Sequence, residues 1–135
     1  MPSLVRSILA IVTGFLVIGL LAFGTGAALT AAGVFPAATQ PVTDIGLLLL
    51  ETAFVGVYAI FGCWLAAFLA PARPMRHALI LGALGLAFNL AMAAGTWELR
   101  PTWSIVLNLA LVMPYAWIGG RLRERQLEGR LAAAS

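Results

Sequence analysis

The sequence is poor in charge and in the side chains that carry most enzyme chemistry. Of its 135 residues only 10% are charged, there is no lysine, and histidine and cysteine occur once each. A soluble domain usually has about a quarter charged residues, so a polar surface cannot cover this chain. The lone Cys63 excludes an internal disulfide. The sequence has no Ser-His-Asp set, P-loop or dinucleotide fingerprint, and it predicts no catalytic residue, cofactor or metal site.

Long apolar stretches are what the sequence has in excess. Hydrophobic residues make up 62% of the chain, and the mean hydropathy is +1.02. A helix needs about 20 apolar residues to cross about 30 Å of hydrocarbon, and four stretches are long enough: 5–32, 44–70, 76–96 and 103–120. The first is too long for the core of a signal peptide, which spans about 7–15 residues. We therefore predict an all-α, integral membrane, up-down-up-down four-helix bundle over 1–122, with a charged tail at 121–135. We expect residues 121–130 of this tail to form a helical extension.

The arginines predict the orientation of these spans. Pro71 and Pro74 end the second span in a tight turn that carries Arg73 and Arg76. Positive loops stay in the cytoplasm. Only Arg100 lies on the opposite predicted side from the other seven: Arg6, Arg73, Arg76, Arg121, Arg123, Arg125 and Arg130. Both termini are therefore predicted to be cytoplasmic. Lipid headgroups, and not nucleic acid, are the predicted contacts of Arg73, Arg76, Arg121, Arg123 and Arg125.

Each predicted span also carries one polar side chain about seven residues from the opposite surface: Thr25, Glu51, Asn89 and Asn108. At 1.5 Å per residue this is a depth of about 10 Å. An acidic group in hydrocarbon costs about 2.5–3.5 kcal/mol at midspan. We expect Glu51 to hydrogen-bond an asparagine, either as a clasp between helices or as part of a proton or ligand site made by all four residues. Glu98 and Arg100 are expected to form a solvent-exposed pair in the outer loop.

Small residues at four-residue spacing predict where the helices pack, because lipid provides no hydrophobic force between helices. The second span offers Ala59, Cys63 and Ala67, and the first offers Ala22 and Gly26. The third span has two such stripes: Ala83, Ala87, Ala91 and Gly95, and beside it Gly82, Gly85 and Asn89. Asp44 is expected to cap the start of the second helix.

The stretch 69–82, with its Pro71-x-Arg73-Pro74-Met75-Arg76-His77 turn, resembles a group of small bacterial four-span membrane proteins without an established activity. The resemblance extends to 33–36, Pro101-x-Trp103 and 114–122. It implies a bacterial inner-membrane protein and transfers no catalytic residue. Small multidrug-resistance transporters also have four spans and a membrane glutamate. Their glutamate lies in the first span, however, and they lack the arginine bias found here.

The expected function is a non-enzymatic accessory or scaffold subunit of a membrane complex, because the short loops leave no room for a soluble site. Its expected partners are membrane lipids and either further copies of the chain or a larger membrane complex. The alternative is a small proton-linked carrier or ligand sensor built around Glu51, since ionisable groups inside a membrane are candidates for function.

Overall fold

The computed structural model describes residues 3–37 and 40–134, and all regular structure in these residues is helical. Four α-helices follow one another: α1 (Ser3–Ala31), α2 (Ile45–Leu69), α3 (Pro74–Thr96) and α4 (Thr102–Ala134). A short 3-10 helix at Trp97–Leu99 connects α3 to α4. All four α-helices are long and apolar enough to cross a membrane. The prediction of an all-α chain with four helices of membrane-spanning length is confirmed.

Local sequence signals explain where the helices begin and end. The Asp44 side chain accepts a hydrogen bond from the backbone N–H of Leu47 at 3.0 Å, which confirms the predicted cap of α2. α2 ends two residues before Pro71, and α3 begins at Pro74 because proline suits the first turn of a helix. Between the prolines, Arg73 has a φ of 50°, a left-handed conformation that residues other than glycine rarely adopt.

The last helix is much longer than its predicted membrane span. α4 has 33 residues and continues through Pro114 and through the charged segment that follows Gly120. At 1.5 Å per residue it extends about 50 Å, against about 30 Å of hydrocarbon in a bilayer. The expected helical extension over 121–130 is confirmed, because these residues are part of α4. The division of the chain into a membrane domain and a tail stays a prediction.

α2 is the central helix of the bundle. It packs against α1, α3 and α4, while α3 also packs closely against α4. The buried cluster at the centre consists mostly of small side chains: Cys63, Ala66, Ala67, Ala78, Leu81 and Ala116. Small side chains allow the helix backbones to approach closely, which is how helices associate when the surroundings are as apolar as their own faces.

Glycines mark the closest approaches between helices. A Cβ atom built at Gly119 in α4 would lie only 2.7 Å from the carbonyl oxygen of Ile60 and 2.8 Å from the Cβ of Cys63, both in α2. A Cβ built at Gly14 in α1 would lie 2.7 Å from the carbonyl oxygen of Gly62 in α2. These positions exclude any side chain, because backbone atoms of the neighbouring helix occupy the space.

The predicted contact faces are correct for α2 and wrong for much of α1 and α3. Cys63 and Ala67 are buried as predicted. In α1 the buried small residues are Ala10 and Gly14, and a Cβ at Gly26 would meet nothing within 4 Å. In α3 Gly82 is buried, whereas the predicted alanine stripe is exposed: Ala83, Ala87, Ala91 and Gly95. Both stripes of α3 consist of small residues, so residue size alone does not separate the buried stripe from the exposed one.

Replacing Gly119 by alanine should lower the free energy of unfolding by about 1–3 kcal/mol, the usual cost of overpacking. The added Cβ would press on backbone atoms of α2, which cannot rotate away. Denaturation of the purified protein in mild detergent, followed by far-ultraviolet circular dichroism, measures this change.

The matched control is Gly95→Ala in α3, where the added Cβ would meet nothing within 4 Å. We expect this variant to be as stable as the parent, or up to about 1 kcal/mol more stable through better helix propensity. Equal stabilities of Gly119→Ala and Gly95→Ala would contradict the packing described for α2 and α4.

Candidate functional site

The acidic side chain of α2 forms an ion pair with the loop between α3 and α4. Nη1 and Nη2 of Arg100 donate hydrogen bonds to Oε2 and Oε1 of Glu51, at 2.5 and 3.0 Å. A two-point pair of this kind fixes the orientation of the carboxylate and is stronger than a single contact. The side chains are 27% and 25% exposed, so the pair lies in a partly open position at the edge of the bundle.

The backbone of the loop brings Arg100 to α2. The 3-10 helix ends at Leu99, and Arg100 follows in an extended conformation. The carbonyl oxygen of Leu99 accepts a hydrogen bond from the backbone N–H of Val42 at 2.9 Å, and Val42 itself is buried. The loop before α4 is thereby tied to the segment before α2, the helix that carries Glu51.

Two predictions about these charges are wrong. Arg100 pairs with Glu51 and not with Glu98, and the bond expected from Glu51 to an asparagine is replaced by this ion pair. The physical reason is that a carboxylate withdrawn from water gains more from a guanidinium than from a neutral amide. The sequence did carry a usable signal: Arg100 is the only arginine on its predicted side, which is also the side nearer to Glu51.

The two asparagines of the predicted site bond mainly to their own helices. Nδ2 of Asn89 and Nδ2 of Asn108 each donate to the carbonyl oxygen four residues earlier, at 2.7 and 2.8 Å. Asn108 also lies 3.4 Å from the hydroxyl of Thr52 in α2, which is long for a hydrogen bond. The single hydroxyl proton of Thr52 has a nearer acceptor in the carbonyl oxygen of Leu48, at 2.9 Å. Asn108 thus contacts α2 only weakly, one residue away from Glu51.

The fourth predicted residue, Thr25, bonds elsewhere. Its hydroxyl lies 2.8 Å from the hydroxyl of Tyr58, which joins α1 to α2. Tyr58 lies two helical turns, about 10 Å, further along α2 than Glu51. In the described part of the chain, the four predicted polar residues therefore do not form one hydrogen-bonded network. Their role as a proton or ligand site stays a prediction.

His77, the single histidine, joins the starts of α1 and α3. It is buried, its Nδ1 lies 3.0 Å from the carbonyl oxygen of Arg73, and its Nε2 lies 2.8 Å from the hydroxyl of Ser7. A carbonyl oxygen only accepts hydrogen bonds, so Nδ1 donates to Arg73, while Nε2 shares a hydrogen bond with the Ser7 hydroxyl. Both ring nitrogens are thus used in packing the bundle.

The arginines predicted to contact lipid headgroups lie in two places. Arg73 and Arg76 are exposed at the turn between α2 and α3, and three lie on α4: Arg121, Arg123 and Arg125. Arg121 approaches Glu124 at 3.5 Å and Glu128 at 3.7 Å. The guanidinium carbon of Arg123 lies 4.4 Å from the centre of the Phe68 ring. Their contacts with headgroups stay predictions.

An open groove runs along the surface between α2 and α4. One part, of about 460 Å³, is lined by residues that include Trp64, Phe68, Arg123, Gln126, Gly129 and Arg130. The second part, of about 590 Å³, shares Trp64 and Gln126 with the first and adds Val57, Ile60, Phe61, Leu122 and Arg125. The two parts are therefore neighbours, and we call them together the α2–α4 groove. None of the four predicted polar residues lines it.

Comparison with family models, with curated proteins and with solved structures finds no match to this chain. The resemblance to small bacterial four-span proteins therefore stays a prediction. Functional arguments rest on the geometry of the described residues, in which every buried side-chain nitrogen and oxygen has a hydrogen-bond partner.

Removing one partner of the Glu51–Arg100 pair should lower the free energy of unfolding for two reasons. The hydrogen bonds of the pair are lost, and the charge of the remaining partner is left unpaired. In a double-mutant cycle with Glu51→Gln, Arg100→Gln and the double variant, we expect a coupling free energy of about 1–2 kcal/mol. This lies above the value for exposed pairs, usually below about 1 kcal/mol, and below the cost of breaking a fully buried pair, about 3–5 kcal/mol. Denaturation in mild detergent measures the four stabilities.

The control cycle uses Arg121→Gln and Glu124→Gln, whose side chains are 40% and 33% exposed and lie 3.5 Å apart. A pair at this spacing on a helix surface should give a coupling of about 0.3–0.5 kcal/mol or less. If the Glu51–Arg100 coupling is no larger than that of the control, the pair does not stabilise the bundle and the description above is wrong.

Proposed function

We propose that the chain is an up-down-up-down four-helix protein of the bacterial inner membrane, with both termini in the cytoplasm. The contacts of the described residues support the alternating direction of the helices. Ser7 near the start of α1 bonds to His77 near the start of α3, and Thr52 in the first part of α2 lies against Asn108 in the first part of α4. The arginine count supports the orientation, because positive loops stay in the cytoplasm.

Within the membrane, we propose that the protein is a non-enzymatic accessory or scaffold subunit of a larger complex. The Glu51–Arg100 pair carries this proposal. A proton-linked carrier must load and release a proton or cation at its carboxylate, whereas the Glu51 carboxylate is held by two N–H donors of one guanidinium. For the alternative, a carrier or ligand sensor around Glu51, Arg100 would first have to leave. A structural pair needs no such step.

The exposed surface suits a protein that packs against lipid and other membrane helices. Large apolar side chains point outwards on all four helices, and examples with high exposed fractions are Leu20, Val57, Leu90 and Val106. In water such a surface would aggregate. In a bilayer it can face acyl chains or the helices of partner subunits, where close packing gives affinity.

Labelling of introduced cysteines tests the orientation. In a Cys63→Ala background, Thr43→Cys lies before α2 and Ala72→Cys lies in the turn between α2 and α3; both positions are exposed. A maleimide that cannot cross membranes should label Thr43→Cys in intact spheroplasts. It should label Ala72→Cys only after permeabilisation. The opposite pattern, or equal labelling of both variants before permeabilisation, would contradict the proposed orientation.

The accessory role is tested on protein expressed at its native level. After solubilisation in mild detergent, a native gel should show one discrete species larger than the monomer. The Glu51→Gln/Arg100→Gln variant should still form this species, because the pair has only a structural role in the proposed function. Vesicles with the purified protein should pass no more protons than protein-free vesicles. A protein that runs only as a monomer would contradict the proposal, and a proton flux lost in Glu51→Gln would favour the carrier.

A further inference from the structure

We propose that the α2–α4 groove binds one anionic phospholipid of the cytoplasmic leaflet, with the phosphate at its arginines and an acyl chain along its apolar part. This inference rests on the membrane orientation proposed above. It assigns a specific lipid site to one groove, whereas the count of arginines alone predicts only a general attraction of that side of the protein to headgroups.

The arginines of the groove need an anion. Arg123, Arg125 and Arg130 line it, and within the described chain none of the three has an acidic partner. The two acidic residues of this segment, Glu124 and Glu128, both face Arg121. A phosphate diester supplies the missing charge, and its oxygens match the paired N–H donors of a guanidinium.

Arg123 is already held in position for this role. Its guanidinium lies over the Phe68 ring, and its Nη1 donates to Oε1 of Gln126 at 3.3 Å. The same oxygen accepts a hydrogen bond from Nε1 of Trp64 at 2.9 Å. A guanidinium has five N–H donors, so most of those of Arg123 remain for phosphate oxygens. Because its contacts hold Arg123 in place before binding, less conformational entropy is lost when the anion binds.

The side of the groove formed by α2 is apolar. The rings of Phe61 and Trp64 lie 5.9 Å apart, and those of Trp64 and Phe68 lie 5.3 Å apart, so three aromatic side chains form a continuous wall. Val57 and Leu122, which extend this wall, are 64% and 45% exposed. Trp64 lies at the junction with the polar part, the place that tryptophan favours at a membrane interface.

The combination of the two parts favours a lipid over other occupants. A free phosphate would leave the aromatic wall exposed, and an apolar helix of a partner would leave the arginines unpaired. An anionic phospholipid satisfies both parts at once. Gly129 lines the charged part of the groove, and the space beside it is open, because a Cβ atom built there would meet nothing within 4 Å.

Quenching of Trp64 fluorescence by brominated lipids tests the site in the full-length protein. The other tryptophans are replaced by phenylalanine in Trp97→Phe, Trp103→Phe and Trp117→Phe; all three are about half exposed. The protein is reconstituted into vesicles that contain either phosphatidylglycerol or phosphatidylcholine with brominated acyl chains, at equal mole fractions. We expect Trp64 to be quenched more strongly by the anionic lipid. The preference is the affinity of the site for the anionic lipid relative to phosphatidylcholine. The Arg123→Gln/Arg130→Gln variant should reduce it by about fivefold for each arginine removed.

The matched control is Arg6→Gln/Arg76→Gln, which removes two charges from the same predicted side of the membrane but outside the groove. It should keep the preference of Trp64 for the anionic lipid. Gly129→Leu changes no charge and narrows the groove, so it should weaken the preference. If the two double variants lose the preference equally, or if the parent shows none, the arginines act only as general surface charge and the lipid site is overturned.

A second single-tryptophan protein, which keeps Trp103 and replaces the other three, separates this inference from the membrane proposal. Trp103 lies at the start of α4, away from the groove. We expect either brominated lipid to quench it equally. Quenching of Trp64 and Trp103 without any lipid preference would overturn the lipid site alone. No quenching of either tryptophan by either lipid would overturn the proposed membrane insertion, and the lipid site with it.

Discussion

Close contact between helix backbones is the constraint on which this bundle depends. At Gly14, Gly62 and Gly119 a single added carbon would meet backbone or side-chain atoms of the neighbouring helix. Helices in apolar surroundings associate through van der Waals contact, which grows as the backbones approach. The buried centre is therefore built mainly from alanine and glycine, while large side chains such as Leu20, at 74% exposed, lie outside. This reverses the usual distribution of size in a soluble protein, and it is the distribution expected of a bundle surrounded by lipid.

The polar groups are placed by the same constraint. Helices this close leave little room between them for side chains, so Asn89 and Asn108 bond to carbonyl oxygens of their own helices. Such bonds satisfy the amide without linking the helices. Glu51 cannot be satisfied in this way because an ionised carboxylate only accepts hydrogen bonds and needs a donor. It lies near the end of the bundle, where the loop before α4 brings Arg100 to it. Its position near the end of the bundle thus gives Glu51 a partner from a distant segment, which the two asparagines do not need.

The sequence predicts the number of helices and the bounds of the first three well, because apolar length depends on composition alone. It also predicts the cap at Asp44 and the break at Pro71 and Pro74, which depend on local backbone chemistry. It does not predict which face of α3 is buried, since Ala83 and Gly82 are neighbours and both are small. The partner of Glu51 was also missed, because Arg100 lies in a loop, 49 residues away, whose path depends on the packed structure. Local signals could be read from the sequence, and contacts between distant segments could not.

The length of α4 connects the packing to the proposed lipid site. α4 has 33 residues and α2 has 25, and the last turns of α4 carry the charges that a membrane interior would exclude. Trp64 and Phe68, near the end of α2, lie against this charged part of α4 and mark the boundary between the apolar and the charged surface of the bundle. A groove that crosses such a boundary fits an amphiphilic molecule better than a wholly polar or wholly apolar one. It is also separate from the Glu51–Arg100 pair, so an accessory subunit could hold a lipid there without disturbing the contact that ties the loop before α4 to α2.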